Sequence, residues 1–455
     1  MRKSNLKSFT VKGLFGDRTV VIPFKDDVKI LIGENGLGKT TVLNMLYYTL
    51  TSKLFKLRDF DFKSLELAFL DGQKIVIDKE KLLASDEDLE LNVPSQLINS
   101  LSQALDTKDL MEISQLLSKG AHPHMVLDRI EMHKYSTDIF RRYPSRLVLS
   151  ALKVICGFGE SNEKIRKAKE TLRNELIDTE ILYFPTFRRI EEDLINLGLE
   201  DEKNKINQGD ARLIQFGMKD VRERFEELKK EINTLSSKGL SQISTEILSQ
   251  LVKGVPNINN NTLETISKKD IDIILARVGE AISNEDKVKI TSIVSAKKLN
   301  DIDDKYLVYF LQKLITIYEK QREIDNAIES FISICNKYLK YSDKEILYEA
   351  SEVEFYLISR GGKKVLLTQL LSKLSSGEKQ IISLFSRIYL SESKSFIVLF
   401  DEPELSLSIF WQKLLLPDIV ASQKCKFLLS VTHSPFIFDN DLEKFAIGLS
   451  QYIKF

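Results

Sequence analysis

The chain has few of the residues that mark secreted or metal-binding proteins. It holds three cysteines, Cys156, Cys335 and Cys425, far apart and each in apolar sequence. No two form a CxxC pair. That excludes a disulfide framework and points to buried thiols in a reducing compartment. His122, His124 and His133 cluster loosely, but no acid or cysteine completes a ligand set, so no metal site is expected there. Neither sign of charge is in excess. Lys+Arg and Asp+Glu each total 66, for a formal net charge of zero. A neutral sum gives no whole-surface footprint for nucleic acid and leaves only a local basic groove open. No apolar run reaches the ~18 residues of a membrane span, and the opening MRKSNLKSFTVKG lacks a signal-peptide core. A cytoplasmic protein without a membrane partner is expected.

What is present is a sizeable apolar fraction, 43% of 455 residues, enough for one large domain or two smaller ones. Residues 6–32 read as strands, ending in the buried run Val28–Ile32. Thr40–Phe55 reads as a helix with Val42, Leu43, Met45, Leu46 and Leu50 on one broad face. Leu65, Leu67 and Phe69, the turn Asp71-Gly72, then Ile75 and Ile77 make a β-hairpin. Residues 95–178 carry helical spacing, and Glu180–Phe184 is a short strand broken by Pro185.

From Lys219 to Lys340 helical spacing returns. Val221, Phe225, Leu228, Ile232 and Leu235 form an a/d seam, answered by Leu314, Ile317, Gln321, Ile324, Ile328 and Phe331. An antiparallel arm is expected, with residues 237–305 as its tip and Asn257–Asn261 as a loop. Its ascending segment of roughly 18 residues would be about 27 Å long. Strands resume at Val353, Phe355 and Leu357, turn at Gly361-Gly362, and continue through Val365 and Leu367. The expected division is 1–94, 95–178, 179–218, 219–345 and 346–455.

Four segments carry chemistry. Gly33-Glu34-Asn35-Gly36-Leu37-Gly38-Lys39-Thr40 fits GxxxxGK[ST] between a strand and a helix, with Thr41 following. The glycines let backbone N–H groups point at phosphates, and the helix N-terminus adds its dipole. Lys39 would neutralise phosphate oxygens and Thr40 would offer a hydroxyl to Mg²⁺. Ser395–Glu402 is a buried strand ending in two acids. Asp401 would hold Mg²⁺ and Glu402 would polarise an attacking water. Leu374-Ser375-Ser376-Gly377-Glu378-Lys379-Gln380 opens an apolar helix. Leu428–Thr432 is another strand, ending at His433. Gln208 and Gln215 are weak candidates for a metal-binding glutamine, and Arg188 and Arg189 for contacts to a nucleotide or an acidic partner.

These motifs resemble the ABC-type ATPase head shared by SMC proteins, RecF and the OLD nucleases, over about residues 1–80, 179–220 and 345–450. The fold implied is α/β: a P-loop head of mixed sheet plus antiparallel β lobe, with helical insertions that include a short antiparallel coiled-coil arm. The cofactors implied are ATP and Mg²⁺. By that resemblance LSSGEKQ is the signature segment, in which Ser375, Ser376, Gly377 and Glu378 serve the nucleotide of a second head. His433 is the switch histidine, and Lys39, Glu402 and His433 are catalytic. Glu404–Leu407 falls where the family has its D-loop, although Ser408 stands where the OLD group often has His.

GENGLGKT, YFPTFRRIEED, FGMKDV, LSSGEKQ, FDEPELSLS and THSPFIF resemble more closely the compact ATPases of bacterial anti-phage systems, the PARIS and Septu systems among them. That resemblance implies a homo-oligomeric sensor and scaffold with a separate effector nuclease of TOPRIM or HNH type and a phage-encoded trigger protein. The sequence ends soon after His433, with no clustered acids of a TOPRIM domain. The alternative is an SMC- or RecF-like repair or recombination ATPase acting on DNA.

Overall fold

The computed structural model describes residues 4–34, 36–83, 93–105, 107–118, 121–131, 136–156, 163–185, 218–253, 268–279, 282–295, 305–359 and 361–454. The chain divides into two compact units, 1–215 with 393–455 and 216–392.

The first unit begins with β1 (Leu6–Leu14), β2 (Arg18–Pro23), β3 (Val28–Ile32), α1 (Lys39–Leu50), β4 (Ser64–Phe69) and β5 (Lys74–Asp78). After a short helical turn at Lys79–Leu83 come, among the described residues, α2 (Ser95–Ala104), α3 (Thr107–Ser118), α4 (Pro123–Glu131), α5 (Ser136–Arg142), α6 (Ser145–Cys156) and α7 (Glu163–Glu175), then β6 (Thr179–Phe184). The second unit holds α8 (Met218–Lys253), α9 (Lys268–Arg277), α10 (Asn284–Ser295), α11 (Lys305–Leu339), β7 (Lys344–Glu349), β8 (Glu354–Ser359), β9 (Lys364–Leu366) and α12 (Ser376–Leu390). The chain returns to the first unit with β10 (Ser395–Asp401), α13 (Ile409–Ala421), β11 (Cys425–Thr432), β12 (Ala446–Gly448) and β13 (Ile453–Lys454).

Two sheets build the first unit. One has the order β13-β2-β1-β4-β5 and is antiparallel; the other, β12-β3-β11-β10-β6, is parallel. Strands of a parallel sheet are covered on both faces, which is why β10 is buried at every residue. A single core joins Phe9, Val11 and Leu67 of the antiparallel sheet, Val42, Met45 and Leu46 of α1, and Leu399 and Val431 of the parallel one. Each such side chain contributes roughly 1.5–3 kcal/mol by leaving water. Helix α1 stops at Leu50, short of Phe55, because Ser52 turns into the left-handed region at φ 58°. The insertion helices α2–α6 bury a core of their own around Leu97, Leu101, Val148 and Leu152. His122 and His124 stack ring on ring at 5.5 Å; His133 lies outside the described residues.

In the second unit α8 and α11 run 36 and 35 residues. The ascending helix is therefore twice the length its heptad seam indicated. Val221, Phe225, Leu228 and Ile232 are buried as the seam requires, but at 235–236 burial passes from Leu235 to Ser236. Beyond that point the partners change. Ile243 of α8 packs with Ile271 and Ile274 of α9, Ile290 of α10, and Leu311 and Leu314 of α11. A helix with three neighbours buries a wider arc than a two-stranded seam, so the heptad fades while the helix continues. Gly239 permits close approach here, since a Cβ would lie 2.3 Å from Ile317 Cδ1.

Gln321 closes a polar layer. Its amide donates to Ser236 Oγ at 2.8 Å and the Ile232 carbonyl at 3.2 Å, and its oxygen accepts from Arg277 at 2.9 Å. Arg277 also pairs with Asp325 at 2.8 Å. The loop Asn257–Asn261 lies outside the described residues. Val353 is not in a strand but in a turn at φ 53°, and Leu367 begins a helical turn. Among the described residues no helix is long and apolar enough to cross a membrane.

Candidate nucleotide site

Three neighbouring strands of the parallel sheet end side by side. Ile32 of β3 pairs with Thr432 of β11, and Val431 pairs with Asp401 of β10. The crevice beyond such carboxyl ends is where open α/β sheets bind ligands. The turn that opens at Gly33 and leads into α1, the acids Asp401 and Glu402, and His433 each leave one of these ends.

The loop geometry follows from its glycines. Gly36 and Gly38 take φ 82° and 86°, open to glycine without strain. At Gly38 a Cβ would also lie 2.9 Å from the Phe15 ring. The Lys39 ammonium donates to the carbonyls of Gly33 at 2.7 Å and Glu34 at 2.9 Å. Burial pulls it below its ordinary value against the opposing charges of Glu402, Asp401 and Glu404. The Thr40 hydroxyl donates to both Asp401 oxygens, at 3.1 and 3.0 Å. Asp401 is 1% exposed.

Glu402 leaves β10 at φ 49°, while its N–H still bonds the Val431 carbonyl at 2.8 Å. A left-handed non-glycine costs about 1–2 kcal/mol and turns the side chain out of the strand. Burial, then Asp401 and Glu404, push its carboxyl above the ordinary glutamate value, with His433 and Lys39 opposing. His433 Nε2 lies 3.9 Å from Glu402 Oε1.

A hydroxyl and a buried carboxylate converging at the head of α1 are hard oxygen donors, a set that fits Mg²⁺. The left-handed glycines, Lys39 and the twelve-residue α1 fit a nucleotide phosphate. A model of the AAA ATPase domain matches residues 5–438.

The chain belongs to this ATPase family.

Among solved structures, the SMC head domain from Thermotoga maritima is 11% identical, with 96% of this chain and 92% of that one covered, at a TM-score of 0.29. The Smc head domain with an extended coiled coil from Pyrococcus furiosus, bound to the C-terminal domain of ScpA, is 12% identical, with 95% and 90% covered, at a TM-score of 0.32. No curated protein sequence matches.

The remaining motif of the ATPase lies in the second unit. Ser375 caps α12: its Oγ accepts from Glu378 N–H at 3.3 Å, and Glu378 Oε2 accepts from Ser375 N–H at 2.9 Å. This is a capping box. The Ser375 hydroxyl proton stays available, and Ser375 is exposed beside half-buried Ser376 and buried Gly377. Glu378 differs from the expectation. Its carboxylate is turned inward, 2% exposed, and paired with Lys344 of β7 at 2.8 Å, so the side chain is used within the fold. Burial on its own pushes Glu378 up; the Lys344 ammonium and the Ser375 N–H outweigh it and hold the carboxyl below its ordinary value.

Glu378→Gln is therefore expected to lower stability at neutral pH by roughly 1–3 kcal/mol. A lowered folded-state value means the contribution is complete above the unfolded carboxyl value, about 4.3, and is lost as pH falls through the folded one. Thermal midpoints of the two proteins should converge over that acid range. A constant gap would refute the ion-pair account.

Ser408 is the N-cap of α13, its Oγ accepting from Trp411 N–H at 3.4 Å. A hydroxyl here serves the helix start, whatever a histidine does elsewhere. Asn35, Arg188, Arg189, Gln208 and Gln215 lie outside the described residues. Glu404, which the resemblance places at the start of a D-loop, also binds within the fold. Its carboxylate accepts from the His433 and Ser434 N–H groups. The three-residue offset from Asp401 was the only local signal.

Proposed function

We propose that the chain binds Mg²⁺·ATP at Gly33–Thr41 and Asp401 and hydrolyses it slowly. The convergence of Thr40 on Asp401 beside Glu402 and His433 carries this reading. Thr40 and Asp401 hold the metal, which would neutralise developing phosphate charge. Lys39 leaves the Gly33 and Glu34 carbonyls for phosphate oxygens. Glu402 takes a proton from water, helped by its raised proton affinity, and His433 orients the γ-phosphate end.

Two copies pair, each presenting Ser375, Ser376, Gly377 and the N-terminus of α12 to the nucleotide of the other. The exposed Ser375 hydroxyl at a fifteen-residue helix start supports this. The assembly is a cytoplasmic sensor and scaffold of an anti-phage system of the PARIS or Septu kind. It holds a separate TOPRIM or HNH nuclease until a phage protein is detected. The motif resemblance supports that assignment.

Mass measurement of the purified protein should show pairing or higher assembly with ATP and Mg²⁺ and its loss in Lys39→Ala. A mass indifferent to nucleotide would refute the pairing. Co-purification with a nuclease encoded nearby would support the defence role. Salt-sensitive, ATP-dependent binding to duplex DNA would favour a repair ATPase instead.

A further inference from the structure

Two side chains tie the segment after β10 to the loop after β11. Glu404 Oε1 accepts from the His433 N–H at 2.8 Å and the Ser434 N–H at 3.1 Å, and Oε2 accepts from the Thr432 hydroxyl at 2.7 Å. Gln412 in α13 closes the other side. Its amide donates to the carbonyls of Leu407 at 3.0 Å and Glu404 at 3.4 Å, and its oxygen accepts from the Ser434 hydroxyl at 2.7 Å. One carboxylate thus holds residues 432, 433 and 434 at once, by accepting a hydrogen bond from each of three consecutive residues.

The His433 ring needs such support, because its side chain is 35% exposed and burial does little to fix it. Its Nε2 nevertheless sits 3.9 Å from Glu402. We infer that Glu404, backed by Gln412, is the positioning residue for His433 and sets the direction in which the imidazole leaves the end of β11. The bonds also run from residues 404–408 into the same loop, so a displacement of that segment moves the histidine with it. The inference rests on the ATPase reading above and not on the pairing of copies.

Three variants of the 455-residue chain test it. Glu404→Ala should lower kcat about 10- to 100-fold, as small misplacements at a reacting centre do, with KM for ATP nearly unchanged. Glu404→Gln should restore most of kcat, because its amide oxygen can accept both N–H groups while its NH₂ donates to the Thr432 hydroxyl. Gln412→Ala, which leaves the carboxylate in place, should lower kcat by a smaller factor and decides the matter if Glu404→Ala does not fold.

With four histidines in the chain, the ¹³C-labelled His433 signal can be assigned by its loss in His433→Ala. It should shift and broaden in Glu404→Ala and return in Glu404→Gln. Wild-type kcat in Glu404→Ala would overturn the inference. So would Glu404→Gln as impaired as Glu404→Ala, which would mean that charge matters and bond geometry does not. An unmoved His433 signal in Glu404→Ala would also overturn it. A wild-type protein without ATPase activity would refute the hydrolysis reading instead, and the histidine signal would still test the clamp.

Discussion

Glu402→Gln should lower ATP turnover by about 10²–10⁴-fold, the usual contribution of a positioned general base, while ATP still binds. The substitution keeps the side-chain shape at a residue already strained at φ 49°, so lost folding is not the expected cause. Removing one negative charge beside Asp401 also relieves repulsion. The nucleotide-bound form should then accumulate, visible as ATP retained on the protein through gel filtration. The same residue fixes a pH dependence. Burial and the Asp401 and Glu404 charges raise its proton affinity, and a base must be unprotonated to act. Wild-type turnover should therefore rise with pH through a value above that of an ordinary glutamate, about 4.3. Turnover of Glu402→Gln equal to wild type would remove Glu402 from the chemistry.

Ser375→Arg should abolish hydrolysis and leave ATP binding intact, whereas Lys39→Ala should lose binding. Mixed in equal amounts, the two inactive proteins should regain part of wild-type turnover, since a mixed pair joins the intact phosphate-binding segment of Ser375→Arg to the intact signature segment of Lys39→Ala and completes one site of two. The arginine also disturbs the α12 cap, so its thermal midpoint must be measured alongside. No recovery on mixing, with both proteins folded, would place the signature segment outside a shared site. Activity of Ser375→Arg alone would do the same.

Sequence and structure agree where a motif is continuous along the chain. Gly33–Thr41 was legible because a buried strand, positive-φ glycines and a helix start lie within a dozen positions. Each is dictated by local chemistry. The helix that opens within Leu374–Gln380 was legible for the same reason, although placing Glu378 at a nucleotide overlooked the capping box that a serine with glutamate three residues on before an apolar run signals. The helix end at Leu50 and the turn at Val353 were misplaced, because both depend on left-handed residues, Ser52 and Val353, that carry no glycine to mark them. The length of α8 was underestimated because its outer half answers α9, α10 and α11 together, and no heptad reports three partners.

The sequence by itself determined the glycine-rich turn between a buried strand and a helix, the two acids at a strand end, and the balance of charge. Tertiary structure decided which of these meet. Thr40 reaches Asp401 across 361 positions because β3, β11 and β10 lie side by side in parallel. Periodicity tells which face of a strand is buried; it does not tell which strand is its neighbour. The same limit hid the inward turn of Glu378 onto Lys344 and the grip of Glu404 on the His433 loop. A carboxylate in a sequence can cap, pair, hold a metal or take a proton. Only the groups brought against it by the fold choose among these.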